Sequence, residues 1–218
     1  GWMTKIEAWA LEVAKERGIK TACYLESWVN YRERFGYPEK DWKKNLPDEI
    51  WVGDQYALAL AEKYFSSHTK VRMVPNQYFK NIKARAKELR TEYPHPNGIL
   101  FLSDAVPGVE QTLEMFLSQL VARKYSDVVG ISLHPADPPG RYDAIIERYG
   151  SWVHIVHSRD LVRNLLSFRV VIGAETVALV VSVFLGKKTI CIKEKGKHFL
   201  PFPKITYVRN TKNILRLI

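Results

Sequence analysis

Long apolar runs are missing from this chain of 218 residues. The longest, Val177 to Leu185, contains Ser182 and reaches about half the ~20 residues that a bilayer-spanning helix needs. No helical membrane span is therefore expected, and no cleavable signal peptide is visible. The chain opens Gly1-Trp2-Met3, which points to a processed end or a fragment boundary. Cysteine is scarce. Cys23 and Cys191 both sit in strand-like apolar runs and read as buried free thiols of a reducing cytosol rather than a disulfide. No Cys/His cluster has zinc spacing, so no metal site is expected. Acidic residues are outnumbered, 23 against 33 Lys and Arg, for a net charge of +10. That surplus favours an acidic partner: a nucleotide, a nucleic acid or an anionic membrane face. The densest basic groups, Lys80 to Arg90 and Lys187 to Lys197, also carry acidic residues or strand apolars. With no aromatic RNA-binding motif and no basic recognition helix, nucleic acid is not expected.

What is present is an alternation of helix and strand. Apolar spacing of Ile6, Trp9, Ala10 and Val13 predicts a helix over 5–17, stopped by Gly18. Strands are expected at 21–25, 49–52 and 70–74, with a helix over 55–65 and a long aromatic, charged loop between Glu26 and Asp48. A basic helical stretch, Gln77 to Arg90, ends at Tyr93-Pro-His-Pro-Asn-Gly98, the best domain boundary in the sequence. Beyond it, strands at 99–102, 128–133, 152–156, 170–173, 188–192 and 205–208 alternate with helices at 109–124, 141–149, 159–168, 176–185 and 213–218. Strands apolar on both faces belong to parallel sheets covered by helices. The expectation is therefore α/β, two Rossmann-like doubly wound halves. Residues 1–90 form an N-terminal domain that looks truncated, because it starts on a helix and has three clear strands; residues 91–218 form the other.

The most informative stretch runs from Asp127 to Ile192. One strand ends in Leu133-His134-Pro135 and a Pro/Gly-rich turn; another, Arg169 to Gly173, runs through Ala174-Glu175-Thr176 into a helix-like segment closed by Gly186. A strand that hands over through small and polar residues to a helix N-terminus makes an anion site. The first-turn N–H groups lack helical partners, and the helix dipole adds positive charge there. Two such sites in one unit suggest a phosphate-bearing ligand, most simply a nucleotide.

The order of elements resembles the GT-B glycosyltransferases of bacterial capsule, lipopolysaccharide and sialic-acid-type glycan synthesis. Glu26 to Phe35, Leu46 to Val52 and Val74-Pro75-Asn76 are similar to the acceptor-side domain. His134-Pro135 resembles the His-Pro motif of CDP-glycerol and CMP-sialic-acid transferases, whose His faces the nucleotide phosphate. Val170 to Thr176, continuing to Gly186-Lys-Lys-Thr-Ile190, resembles the donor segment shared with UDP-N-acetylglucosamine 2-epimerases and MurG-type transferases. Glu175-Thr176 stands where that family carries Ser-Ser or Ser-Thr, Ser132 where it carries Arg, and the usual opening glycine-rich loop is absent.

The resemblance implies metal-independent transfer from a nucleotide-sugar, bound as substrate with no cofactor, to a glycan or lipid-linked acceptor. It implies a cytoplasmic protein, with peripheral contact to an anionic membrane. An imidazolium at His134 would steady the departing diphosphate, or His134 simply caps its turn. Thr176 serves as an N-cap or a phosphate donor, and Glu175 would accept from ribose hydroxyls. Ser103, in the turn after the first strand of the second half, would reach the donor phosphates, or is part of an ordinary Pro-Gly turn. Glu26 is the leading general base. Asp54 is second, and for it the role of helix N-cap prevails. Trp28, Tyr31 and Arg34 (with Arg32 and Trp42) suit sugar stacking and an anionic acceptor, or a packed loop. The other histidines, His68, His95, His154, His157 and His198, are assigned to structure or solvent. A 2-epimerase or hydrolase on the same fold, or a non-catalytic sugar-nucleotide-binding remnant, are the alternatives.

Overall fold

The computed structural model describes residues 6–193 and 200–218; His198, with the end of the Lys187 to Lys197 basic group, lies outside them. The chain divides into two units, Gly1–Gln77 and Tyr78–Ile218.

The first unit carries α1 (Ile6–Glu16), β1 (Ala22–Leu25), β2 (Glu49–Val52), α2 (Gln55–Phe65) and β3 (Lys70–Met73). Its three strands are parallel in the order β1-β2-β3. Asp54 caps α2, its Oδ1 accepting from the N–H groups of Tyr56 and Ala57 at 2.9 Å each. The loop from Glu26 to Asp48 is more ordered than its composition suggests. It holds two short 3-10 turns, Glu33–Phe35 and Trp42–Asn45. Its aromatics gather around Phe65 at the end of α2: Tyr31 stacks on that ring at 6.2 Å, and Phe35 and Trp42 meet it edge-on at 5.6 and 6.2 Å.

Helix α3 (Gln77–Leu89) belongs almost wholly to the second unit, so the division falls 13 residues before the expected one at residue 90. The cause is its apolar face: Phe79, Ile82, Ala86 and Leu89 are buried, and Phe79 stacks on Phe184 with ring centroids 4.2 Å apart. There follow β4 (Ile99–Leu102), α4 (Val109–Ala122), β5 (Val129–Ser132), α5 (Asp143–Tyr149) and β6 (Val153–Ile155). The chain then runs through α6 (Leu161–Ser167), β7 (Val170–Gly173), α7 (Val177–Phe184), β8 (Lys188–Ile192) and β9 (Ile205–Val208). A 3-10 stretch, Thr211–Arg216, takes the place of the expected last helix.

All six strands of this sheet are parallel, in the order β6-β5-β4-β7-β8-β9. The central strands β4 and β7 are buried at every position, as two-sided coverage by helices requires. Leu113, Phe116, Leu117 and Leu120 of α4 share one core with Ile99, Phe101 and Ile172. Gly173 is set by contact: a Cβ there would stand 3.0 Å from the Leu102 Cβ and 3.1 Å from its carbonyl oxygen. No helix among the described residues is long and apolar enough to cross a membrane.

Candidate functional site

Strand register aligns Ser132, Leu102, Gly173, Cys191 and Tyr207 in one row across the second sheet. The residues that follow them all leave by the carboxyl edge. Strand order reverses between β4 and β7, so the chain leaves β4 on one side and β7 on the other and opens a crevice there, the usual ligand position of an open α/β sheet. A hollow of about 430 Å³, open to solvent, occupies this place. Its walls are Asp104 and Val106 to Val109 after β4, Thr112 of α4, Ala174 and Glu175 after β7, and Ile192 and Lys193 at the end of β8.

The hollow has electropositive components. Gly108, at φ 88°, is the N-cap of α4 and provides no side-chain cap. Thr112 is the first residue of α4 to donate to a carbonyl of the helix start, at 3.1 Å to Gly108, so the amides of Val109, Glu110 and Gln111 have no helical acceptor. Lys193 forms an ion pair with Glu175, whose side chain is 5% exposed against 25% for the lysine. That pairing offsets the repulsion a bare carboxylate would exert on a diphosphate, and it sets an ammonium group at the lip.

Arg141 secures the turn above. Its Nε donates to Glu110 at 2.6 Å, while Nη1 and Nη2 donate to the carbonyl oxygens of Asp104 at 2.7 Å and Val106 at 3.1 Å. Nη1 also pairs with Asp137, whose second oxygen accepts the His134 N–H at 2.7 Å. One half-buried arginine thus links the β4–α4 turn, the start of α4 and the His134 turn. Hydrogen bonding to Glu110 holds the Arg141 proton more firmly than usual, and the same bond lowers the Glu110 carboxyl.

The expected donor-side residues take different positions. Glu175 lines the hollow, but as the partner of Lys193. Thr176 stands at the N-cap of α7 and its hydroxyl makes no capping bond, so the simple cap does not describe it. Thr176 and His134 are not among the residues lining the hollow. His134 leaves the sheet from β5, on the other flank of β4. Its Nδ1 accepts the Ala136 N–H at 3.1 Å within the turn, so Nε2 is the ring nitrogen available to a ligand. Ser103 is corrected. Its side chain is buried against Tyr142, hydroxyl to hydroxyl at 2.5 Å, beneath the turn instead of facing a ligand. Burial raises that tyrosine to about 12.

In the first unit, Glu26 and Arg34 form a two-pronged pair at 2.8 and 2.9 Å, and Arg34 also donates to the Ser27 hydroxyl at 3.0 Å. Burial raises the Glu26 carboxyl, but the Arg34 hydrogen bond, a backbone bond and the Arg34 charge bring it below its ordinary range. Both side chains line a recess with Leu11, Leu25 and Phe35 on its apolar side. Trp28 and Tyr31, expected as sugar-stacking faces, are corrected to core residues. They are 6% and 3% exposed; Trp28 donates to Asp54 at 3.0 Å and Tyr31 stacks on Phe65.

Sequence reasoning passed over Lys193 and Arg141. Lys193 was signalled by its place one residue past a strand, on the same edge as Glu175. Arg141 directly follows a Pro-Pro-Gly turn and precedes a helix, and only the fold brings it to Glu110, 31 residues earlier. No group of three or more His, Cys, Asp and Glu side chains among the described residues is arranged to hold a metal ion.

No family model and no curated protein matches the sequence. Among solved structures the chain is similar to the Escherichia coli heptosyltransferase WaaC with ADP-2-deoxy-2-fluoro heptose. That likeness has a TM-score of 0.50 at 14% identity and covers 96% of this chain and 92% of that one. It is also similar to Thermosulfurimonas dismutans KpsC, a beta Kdo 2,4 transferase, with a TM-score of 0.39 at 15% identity, over 64% of this chain and 51% of that one. The chain thus spans about half the length of KpsC. The fold is α/β with two Rossmann-like parallel-sheet halves, GT-B-like, the first with three strands and the second with six.

Proposed function

We propose that this chain is a GT-B-like glycosyltransferase that moves a sugar from a nucleotide-sugar to a glycan or lipid-linked acceptor in bacterial surface polysaccharide synthesis. The observation that carries the reading is the hollow at the β4/β7 switch point, bordered by the N-terminal turn of α4, the chain entering α7 and Lys193. Amide groups and one ammonium suit a diphosphate, and their charge is fixed before the glycosidic bond breaks. The reading needs no metal for that task. Thr176, with a hydroxyl not used in capping, is assigned to the donor side; His134 would offer Nε2–H from the β5 flank. Glu26 is assigned to the acceptor, where the Arg34 pair keeps it ionised and makes it a weak base. The fold neighbour WaaC, a heptosyltransferase by name, supports this reading.

The engagement of Glu26 by Arg34 favours a second reading, nucleotide-sugar binding without transfer. A thermal-shift panel of UDP, CMP, CDP, GDP and dTDP sugars tests both. A bound donor at 100 times its dissociation constant should stabilise by ~2.7 kcal/mol. Replacing Lys193 by Met together with Glu175→Gln, so that no buried carboxylate loses its partner, should weaken that donor about 10- to 100-fold. Silence across the panel rejects the site. Binding without product when acceptor extracts are supplied selects the second reading, and free nucleotide or an epimer without acceptor selects hydrolysis or epimerisation.

A further inference from the structure

The three-stranded sheet of the first unit is covered on one face only. Leu25, Ile50 and Val52 point to the buried face, where α2 packs with Ala57, Ala61 and Phe65. Alternation turns Ala22 and Tyr24, Glu49 and Trp51, Lys70 and Arg72 to the other face. Register sets them in two rows, Ala22-Glu49-Lys70 and Tyr24-Trp51-Arg72. Both aromatic rings of the second row are open to solvent, Tyr24 41% and Trp51 38% exposed. A parallel sheet normally has helices on both faces, so an uncovered face carrying two aromatics is unusual. The rings are also held. The Trp51 Nε1 donates to Glu49 at 2.9 Å, and Glu49 pairs with Arg72 at 3.1 Å. Tyr24 leans toward the end of β2, where a Cβ on Gly53 would stand 2.3 Å from its hydroxyl and 2.6 Å from the Asn76 Nδ2. Only glycine leaves room there for the phenol and the amide. Neighbouring strands are about 4.8 Å apart, close to the length of one pyranose ring.

We infer that this face is a glycan-binding platform, on which Tyr24 and Trp51 stack against successive sugar rings of one chain. One side of a pyranose ring presents weakly positive C–H groups, and an aromatic face carries negative charge density. The hydroxyls at the rim of the sugar then meet Glu49, Arg72, Asn76 and the Tyr24 phenol, which supply both donors and acceptors. Size argues against a protein partner. Three strands of four residues, at spacings of about 4.8 and 3.3 Å, present roughly 200 Å². A stable interface takes about 800 Å² from each partner. Charge argues against nucleic acid: Lys70 and Arg72 both pair with Glu49, which neutralises one of them and repels phosphate. The platform takes no part in the chemistry of transfer, and the inference stands whether or not the chain transfers a sugar.

Calorimetric titration of the full chain, with no nucleotide-sugar present, tests it. The probes are chitotetraose, maltotetraose and a tetramer of galacturonic acid. At least one should bind, with a blue shift of tryptophan emission as the Trp51 indole leaves water. Trp51→Ala and Tyr24→Ala should each weaken that binding about tenfold, near the upper end of what one aromatic face contact contributes. Both rings are exposed, so the melting curves of these variants should match the parent's. Tyr24→Phe, which keeps the ring, should bind like the parent. Trp9→Ala, which removes an indole 67% exposed on α1, should also retain binding. The inference is overturned if none of the three sugars binds, or if both Ala variants bind like the parent. It is overturned equally if a single-stranded oligonucleotide binds the row in place of sugars, or if the parent is a dimer that Trp51→Ala makes monomeric.

Discussion

The Nε of Arg141 donates to the Glu110 carboxylate at 2.6 Å, while the same guanidinium pairs with Asp137, a side chain 1% exposed. Two carboxylates and two turn carbonyls therefore depend on one side chain. Replacing Arg141 by Met leaves Asp137 buried without its cation, a change that costs about 3–5 kcal/mol. The expected outcome is a large fall in the urea midpoint, with donor stabilisation in the thermal-shift panel lost as well, since the β4–α4 turn forms the hollow's wall. Arg141→Lys keeps the charge but not the fork, so it should recover part of the stability and little of the binding. An unchanged midpoint in the Met variant would refute the clamp.

Tyr31 and Trp28 separate packing from recognition. Aromatics interleaved with arginines suggested a sugar platform, yet both rings are buried and Tyr31 lies parallel to Phe65, with 13° between the planes. Tyr31→Ala should therefore destabilise the first unit by about 3–5 kcal/mol. Affinity for the donor, measured at a temperature where the variant is folded, should stay within twofold of the parent. A variant of full stability that lost acceptor use would restore the recognition role.

Period and punctuation made most of the fold legible. The core strands are short Val/Ile runs, and Gly18, Pro75 and the Tyr93 to Gly98 turn mark real interruptions. The switch point follows once the strands are paired, and Glu175 lies in the loop after β7 that lines the hollow. What stayed hidden depended on long-range pairing. Charge alone did not reveal that Glu175 meets Lys193, 18 residues later, or that Arg34 returns to Glu26. The loop from Glu26 to Asp48 misled for a related reason: its Trp, Tyr and Phe residues have no helical or strand period, and only Phe65, from another element, gives them a core. The boundary at 90 rested on the Pro-rich turn, whereas Phe79 on Phe184 attaches α3 to the second unit.

Lys187, just before β8, and Cys191, near its far end, should tilt alkaline stability in opposite directions. Burial, with the Arg90 charge second, lowers Lys187 to about 8. The unfolded lysine holds its proton up to about 10.4, so between those values the unfolded state binds more protons and stability rises with pH. Burial, with the Glu175 charge second, raises the Cys191 thiol to about 12. The unfolded thiol ionises near 8.5, so the stability it contributes is complete below that pH and is lost as pH climbs toward 12. Urea midpoints read from about pH 7.5 to 10 resolve the two. Relative to the parent, Lys187→Met should lose stability increasingly as pH rises, because the gain it removes grows across the window. Cys191→Ala should lose stability from the cavity at every pH but close part of the gap above pH 8.5 or so. Parallel profiles for the parent and Lys187→Met would mean that the amino group keeps an ordinary proton affinity, and that its bonds to Leu166 and Phe168 compensate fully for its burial.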